Sequence, residues 1–175
     1  MKKLMLATAI FAATTSAALS HATLTNQWAE QGRSFYTGIR ISHGCDQQAT
    51  IRVSVQIPEG LIGVKPQLKE GWDIELITGD YENTYPYHGR EMSSGVKEVI
   101  WSGGELPNEF FDIFEIRGTV TDHFAVDETV YLPVVQNCAD GSHHWVEIPA
   151  EGQTRHDLDK PAPGFTVEQG EHHAH

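Results

Sequence analysis

The sequence has few cysteines, few basic residues and no long apolar run after its first twenty residues. Its 175 residues contain two Cys, and 12 Lys and Arg stand against 24 Asp and Glu, which gives a formal charge of -12. A chain this acidic lacks the basic surface that nucleic acids and anionic membranes attract. Its two cysteines are far apart, so they form no Cys-x-x-Cys redox or metal motif. We therefore expect neither a nucleic-acid partner nor a membrane span in the mature protein.

Histidine, by contrast, is abundant, with 10 residues in the chain. Imidazole is the commonest metal-binding side chain in proteins, so the composition directs attention to divalent cations. Histidines scattered over a surface without function would give the same count.

Residues 1–20 have the composition of a secretory signal peptide: two lysines, a short apolar stretch and then small residues. The apolar stretch is shorter than the about 20 residues that a membrane-spanning helix needs. Cleavage after Ser20 would make His21 the first residue of the mature chain, whereas cleavage after Ala22 would remove it. The small-residue rule permits both cuts. We expect a protein that is periplasmic or otherwise secreted.

Export also bears on Cys45 and Cys138. An even pair of cysteines in an oxidising compartment favours a single disulfide, and copper-thiolate chemistry is the alternative. A disulfide that closes so long a loop would contribute on the order of 3–5 kcal/mol in the loop-entropy account.

Apolar and polar residues alternate along much of the mature sequence, which is typical of strands buried on one face. The clearest run places its apolar side chains at Ile51, Val53, Val55 and Ile57. Several short runs of this kind, separated by Gly- and Pro-containing turns, predict an all-β fold. We expect a two-sheet antiparallel sandwich of immunoglobulin or cupredoxin character.

The same pattern predicts three regions. After the signal peptide, residues 21–149 form the sandwich domain, in which the polar, tyrosine-rich residues 79–95 make an extended loop or a loose hairpin. From residue 150 the hydrophobicity falls, and Pro161 and Pro163 interrupt any regular pattern. Residues 150–175 are therefore predicted to be a flexible, histidine-containing tail.

An N-terminal histidine has a specific chemistry. If His21 begins the mature chain, its α-amine and its ring Nδ1 together form a chelate that suits the tetragonal N,O preference of Cu(II). The amine has an ordinary pKa of about 7.7–8.0, so metal binding displaces one proton at modest cost near neutral pH. An ordinary histidine at the start of a strand is the alternative.

A series of motifs, in order along residues 21–150, resembles the YcnI-like copper-binding domain family, and the subtype with two cysteines is the more similar one. The segments that carry the resemblance are His21-Ala-Thr-Leu24, His43-Gly-Cys45-Asp46, Val55-Gln-Ile-Pro58-Glu-Gly60, Lys65-Pro66, Gly71-Trp72, Trp101-Ser-Gly-Gly104-Glu-Leu-Pro107, Phe110-Phe-Asp-Ile-Phe114, Leu132-Pro-Val-Val-Gln136-Asn-Cys138 and Trp145-Val-Glu-Ile-Pro149. The resemblance thus covers a whole domain rather than one motif.

The resemblance implies a Cu(II) site of the mono-histidine brace kind. In this family the N-terminal histidine supplies amine and imidazole, a glutamate completes the site and a tryptophan lies close by. His21 matches the histidine, Glu109 is the best match to the glutamate, and Asp112 and Glu105 are the alternates. Trp145 matches the tryptophan, where an indole could restrict solvent and tune the metal, although a tryptophan in a strand is commonly a core residue. The resemblance also favours the cut that leaves the histidine first.

The other histidines are weaker candidates. His43 lies two residues before Cys45 and is expected to be a hydrogen-bonded loop residue, with a role as a second ligand as the alternative. His143 and His144 are consecutive, so in a strand they face opposite sides and cannot serve the same site. The histidines of residues 171–175 are compositional evidence alone.

These features predict a non-enzymatic Cu(II)-binding protein that traffics, buffers or chaperones copper and exchanges it with a copper-transport or chaperone partner in the cell envelope. The first alternative is a copper-dependent polysaccharide monooxygenase, for which Tyr81, Tyr85 and Tyr87 form the one candidate sugar platform. The second is a metal-free interaction module of the envelope, because sandwich folds carry many such modules.

Overall fold

The computed structural model describes residues 21–170, which form twelve strands and one short 3₁₀ helix. The predicted signal peptide, residues 1–20, and the histidines of residues 171–175 lie outside the described part. Within that part, no helix is long and apolar enough to cross a membrane. The elements in chain order are β1 (Thr23–Leu24), β2 (Trp28–Glu30), β3 (Ser34–Ile41), β4 (Thr50–Gln56), β5 (Leu61–Pro66), β6 (Asp73–Tyr87), β7 (Arg90–Leu106), β8 (Asp112–Val120), β9 (Thr129–Tyr131), β10 (Val134–Cys138), β11 (Ser142–Trp145), the 3₁₀ helix (Arg155–Asp157) and β12 (Gly164–Glu168).

Two antiparallel sheets account for most of the domain. One has the strand order β1-β3-β8-β5 and the other the order β11-β10-β4-β7-β6, while β2, β12 and β9 make a small third sheet. Fully buried residues from both large sheets, such as Ile39 and Phe114 from the first and Val53 and Trp101 from the second, belong to one core cluster. The predicted all-β sandwich is confirmed.

In strand β4 the apolar residues from Val53 onward are buried as predicted, although Ser54 between them is buried as well, and the start of the strand differs. Val53 and Val55 are fully buried, but Ile51 is 39 % exposed and Thr50 is fully buried instead. In the pairing of β4 with β10 the register shifts, because Arg52 and Thr50 oppose the consecutive residues Asn137 and Cys138, so β4 has one extra residue there, which is a β-bulge. Because the bulge adds one residue, the side chains before it change faces.

Of the two forms predicted for residues 79–95, an extended loop or a loose hairpin, the structure shows the hairpin. These residues form the outer part of a long β6–β7 hairpin, whose turn at His88 and Gly89 has φ values of +50° and +76°. Positive φ at both central residues is the type I′ geometry that suits a two-residue hairpin. Tyr81 and Tyr85 lie buried in a small cluster with β5, so these rings do not present an open platform.

One carboxylate, that of Glu59, ties this hairpin to the sandwich. It accepts hydrogen bonds from the backbone N–H groups of Glu82 (2.9 Å) and Asn83 (2.8 Å) and from the Tyr85 hydroxyl (3.0 Å), and the Lys97 ammonium lies 3.6 Å away. Desolvation raises the pKa of Glu59, but these hydrogen bonds outweigh it and lower the pKa to about 2.

The prediction of a flexible tail from residue 150 is wrong for residues up to Glu168. Strand β12 pairs parallel with β2 and antiparallel with β9, and Phe165 and Val167 are at most 1 % exposed. Their alternation is a strand signal that the nearby prolines obscured, since Pro161 and Pro163 precede the strand rather than interrupt it.

The sheet register brings the candidate site residues to one end of the sandwich. Strand β3 ends where β8 begins, with Ile41 opposite Asp112, and β4 begins where β7 ends, with Thr50 opposite Leu106. The β3–β4 and β7–β8 loops therefore lie side by side. Because β1 pairs with the last residues of β3, His21, two residues ahead of β1, lies at this same end.

Candidate metal centre

His21 and Trp145 are in contact, although 124 positions separate them in the sequence. Their ring centroids are 5.7 Å apart, with the planes inclined at 59°. Trp145 is only 3 % exposed and belongs to the core, so it holds a fixed position under the half-buried histidine. The His21 Nε2 is buried and has no hydrogen-bond partner among the described residues.

This placement leaves Nδ1 as the ring nitrogen that can act together with the backbone nitrogen of His21. In the full-length chain that backbone nitrogen is an amide bonded to Ser20, and an amide is a poor donor to a metal. Cleavage after Ser20 turns it into an amine, which can share a cation with Nδ1. The geometry therefore suits a chelate only in a chain that begins at His21.

Gln136 fixes the indole from the other side. It is 1 % exposed, and its Oε1 accepts a hydrogen bond from the Trp145 Nε1 at 3.3 Å. Its Nε2 donates to the backbone oxygen of His43 at 2.7 Å and to the Thr50 hydroxyl at 2.8 Å. Sequence analysis missed this residue, although a glutamine at an inward position of β10 was a usable signal, because buried polar groups need partners.

The disulfide predicted from the sequence is confirmed. Cys45 and Cys138 are joined by an S–S bond of 2.08 Å, which fastens the β3–β4 loop to the end of β10. The backbones of Cys45 and Gln48 also exchange hydrogen bonds of 3.2 and 2.8 Å. The loop beside the site is thus constrained both covalently and by its own turn.

One further histidine, His143, contacts Trp145, and His43 contacts His143 in turn. The His143 ring is 5.1 Å from the indole and 6.0 Å from the His43 ring. Burial lowers the pKa of His143, and the positive charges of Lys160 and His43 lower it further. His43 Nδ1 lies 2.6 Å from the neighbouring carbonyl oxygen, as expected for a hydrogen-bonded loop residue. His144 lies on the opposite face and contacts a serine hydroxyl, as strand geometry predicts.

Glu109 lies in the β7–β8 loop and is exposed. The loop is docked on the β3–β4 loop by a hydrogen bond of 3.1 Å from the Gly44 N–H to the Asn108 side-chain oxygen. No hydrogen bond or ion pair of the Glu109 carboxylate is recorded within residues 21–170. The carboxylate therefore stands at the same end of the sandwich as His21 without a competing cation.

The two alternate acids are placed differently. Asp112 forms an ion pair of 2.7 Å with Lys69 and also accepts the Ile113 N–H at 2.8 Å, so its negative charge is already compensated. Glu105 is exposed near the end of β7. Of the three acids, Glu109 is thus the one that combines a position in the docked loop with an uncommitted charge.

Within residues 21–170, no group of three or more His, Cys, Asp or Glu side chains is arranged to hold a metal ion. A mono-histidine brace does not require such a group, because one residue supplies two of its donors and one of these is a terminal amine. The buried, unpartnered Nε2 of His21 beside Trp145 fits this arrangement. The site predicted from the sequence is therefore compatible with the fold on the condition that His21 is the first residue.

The sequence over residues 21–167 matches a family described as a domain of unknown function, DUF1775. The chain belongs to this family. DUF1775 is the YcnI-like domain family, so the resemblance seen in the motifs is confirmed at the level of the domain. The match ends within β12, so family and fold agree that the DUF1775 domain continues well past residue 150. No curated protein matches the chain.

Among solved structures, an uncharacterised protein from Nocardia farcinica with an immunoglobulin-like fold is similar to this DUF1775 domain. It has 22 % identity and a TM-score of 0.63, and the match covers 87 % of this chain and 100 % of the other. At this identity the likeness supports the fold alone. A non-cellulosomal cohesin from the hyperthermophilic archaeon Archaeoglobus fulgidus has 14 % identity, coverages of 89 % and 98 % and a TM-score of 0.33, which is too low to support any argument.

Proposed function

We propose that this DUF1775 domain is an exported Cu(II)-binding protein that traffics, buffers or chaperones copper. The observation that carries the proposal is the contact between His21 and the buried Trp145, 5.7 Å between ring centroids, at the end of the sandwich where the β7–β8 loop with Glu109 also lies. The surrounding structure fixes this end of the domain through the disulfide and through Gln136.

In the proposed site the α-amine and Nδ1 of His21 bind Cu(II), and the Glu109 carboxylate supplies an oxygen donor. Trp145 forms no bond to the ion but shields one side of it from water. One bidentate histidine and one carboxylate leave Cu(II) short of a full ligand set, so a partner protein can add its own ligands before the ion is released. Copper is therefore cargo here, which suits a carrier better than a closed structural cage.

Two observations favour a carrier over an oxidative enzyme. The monooxygenase alternative needs an aromatic platform for polysaccharide, but Tyr81 and Tyr85 are buried, with exposures of 9 % and 4 %. It also needs a second histidine in the brace, whereas the described ring contacts of His143 are with Trp145 and His43 rather than with His21. The disulfide supports export, because such bonds persist in oxidising compartments.

The test is a competitive Cu(II) titration of two chains, one that begins at His21 and one that begins at Ser20. We expect the first to bind one equivalent tightly and the second to lose most of that affinity, because its histidine has no free amine. His144→Ala in the first chain is the matched control and should bind like the parent, since His144 faces away from the site. Equal affinities of the two chains would refute the brace.

The two alternatives give different results in the same set of experiments. A metal-free interaction module predicts no stoichiometric Cu(II) binding by either chain. A monooxygenase predicts oxidised products from a polysaccharide when the copper-loaded protein receives a reductant and an oxidant.

A further inference from the structure

A row of three side chains crosses the first sheet. Tyr36 of β3 is paired with Arg117 of β8, and Arg117 is in turn paired with Lys65 of β5. Directly opposed residues bring their Cβ atoms to within about 4.5–5.5 Å, and two like charges in such a pair destabilise a sheet. The chain has 12 basic residues against 24 acidic ones, so two neighbouring cations on it call for an explanation.

Within residues 21–170, no acidic side chain forms an ion pair with Lys65 or Arg117. The three ion pairs recorded for the described residues involve other cations, and no hydrogen bond is recorded there from the side chains of Lys65 or Arg117. The Arg117 Nε is buried without a partner. Glu115 lines the same cavity but does not reach ion-pair distance. The arginine as a whole is only half-buried, so the other N–H groups of its guanidinium remain available to an anion.

Tyr36 supplies an aromatic ring beside the Arg117 guanidinium. Its ring is 58 % exposed, and the Arg117 Cζ lies 5.8 Å from the ring centroid. A guanidinium held against an aromatic face keeps its in-plane N–H edge for an oxyanion, to which it can donate two parallel hydrogen bonds. These residues line a cavity of about 370 Å³, to which Gln67 and Thr25 add polar groups. A cavity of this size accommodates a small molecule rather than a protein segment.

We infer that Tyr36, Lys65 and Arg117 form a binding site for an oxyanion, a phosphate or carboxylate group carried by a small molecule. The guanidinium donates two parallel hydrogen bonds to the oxygens of the anion, and the Lys65 ammonium adds a second positive charge. The exposed tyrosine ring packs against the part of the molecule next to the anionic group. The ligand relieves the repulsion between the two cations. This site is independent of the copper proposal, since it shares no residue with it.

The test follows the arginine Nε–H and backbone amide signals of the ¹⁵N-labelled protein by NMR while inorganic phosphate is added at constant ionic strength. We expect saturable shifts centred on Arg117, Lys65 and Tyr36, and their loss in Arg117→Gln. Arg40→Gln is the matched control, because Arg40 is an exposed arginine of the same strand as Tyr36, and it should keep the response. Shifts that persist in Arg117→Gln, or that chloride alone reproduces, would overturn the assignment.

A second variant keeps the inference testable if Arg117→Gln unfolds. Lys65→Gln removes one of the opposed charges, so in phosphate-free buffer its Tm should be higher than that of the parent, while the rise in Tm on adding phosphate should disappear. A lower Tm without phosphate, or an undiminished phosphate effect, would contradict the site. Acetate in place of phosphate distinguishes a carboxylate ligand. Arg117-dependent sedimentation with phosphatidylglycerol vesicles, without any response to free phosphate or acetate, would also refute a small-molecule site.

Discussion

Replacement of Gln136 by leucine tests whether the buried amide holds the end of the sandwich together. Gln136 is 1 % exposed and joins three elements, through Trp145 in β11, Thr50 in β4 and the backbone oxygen of His43 in the disulfide-linked loop. Leucine has a similar size and no polar atom. The variant therefore removes these hydrogen bonds without opening a large cavity.

The magnitude follows from the groups that lose their partner. The indole N–H of the buried Trp145 loses its acceptor, which costs about 1–3 kcal/mol, and the carbonyl oxygen of the half-buried His43 loses one donor, which costs about 0.5–1.5 kcal/mol, whereas the Thr50 hydroxyl can rotate. The added apolar surface returns about 1 kcal/mol. We expect the free energy of unfolding to fall by about 0.5–3.5 kcal/mol, against the 5–15 kcal/mol that is usual for a domain.

The assay is equilibrium unfolding in urea with the disulfide intact, followed by tryptophan fluorescence and by far-ultraviolet circular dichroism. Thr50→Val is the matched control. It removes one of the hydrogen bonds of Gln136 and leaves the other two, so it should cost about 0.5–1.5 kcal/mol. A loss in Gln136→Leu no greater than that in Thr50→Val, at an unchanged m-value, would refute the reasoning.

Three further predictions concern other parts of the molecule. The double variant Cys45→Ser, Cys138→Ser opens a loop with a sequence separation of 93 and should lose about 4–5 kcal/mol of unfolding free energy in urea, and a loss below about 2 kcal/mol would contradict the loop-entropy account. The pKa of Glu59 is lowered from 4.5 to about 2 in the folded state, so the stability it provides is present above pH 4.5 and is lost as the pH falls through about 2. Glu59→Gln should therefore flatten the dependence of stability on pH over this range in acid titrations followed by fluorescence, and an unchanged dependence would exclude this carboxylate as its source. Glu109→Gln should alter the electron paramagnetic resonance spectrum of bound Cu(II), whereas Glu105→Gln should not, and the reverse result would reassign the oxygen ligand.

The core strands of the fold could be predicted from the sequence because their alternation reflects burial on one face. Val53 and Val55 show this directly. For the outer part of the β6–β7 hairpin the sequence left a loop and a hairpin open, because this part extends beyond the main core and most of its residues are exposed, as at Asp80 and Glu82. Strand β12 was hidden by the prolines before it.

The candidate site was predictable to the extent that it depends on residue type. Cleavage after Ser20 would place His21 first, and the family resemblance matches Trp145 to the tryptophan near the metal. Strand pairing explains why these two residues, so distant in sequence, meet. Gln136 was missed because its role depends on three partners from three elements. The choice among the acids depended on two contacts that only the folded chain reveals. One is the docking of the β7–β8 loop on Gly44, and the other is the ion pair of Asp112.

The most direct test of the central claim is a native mass spectrum of the exported protein after addition of one equivalent of Cu(II). The account predicts a mature chain whose first residue is His21, observed with one bound copper. A mature chain that begins at Thr23, or one that begins at His21 and binds no copper, would contradict the claim that the terminal histidine holds the ion.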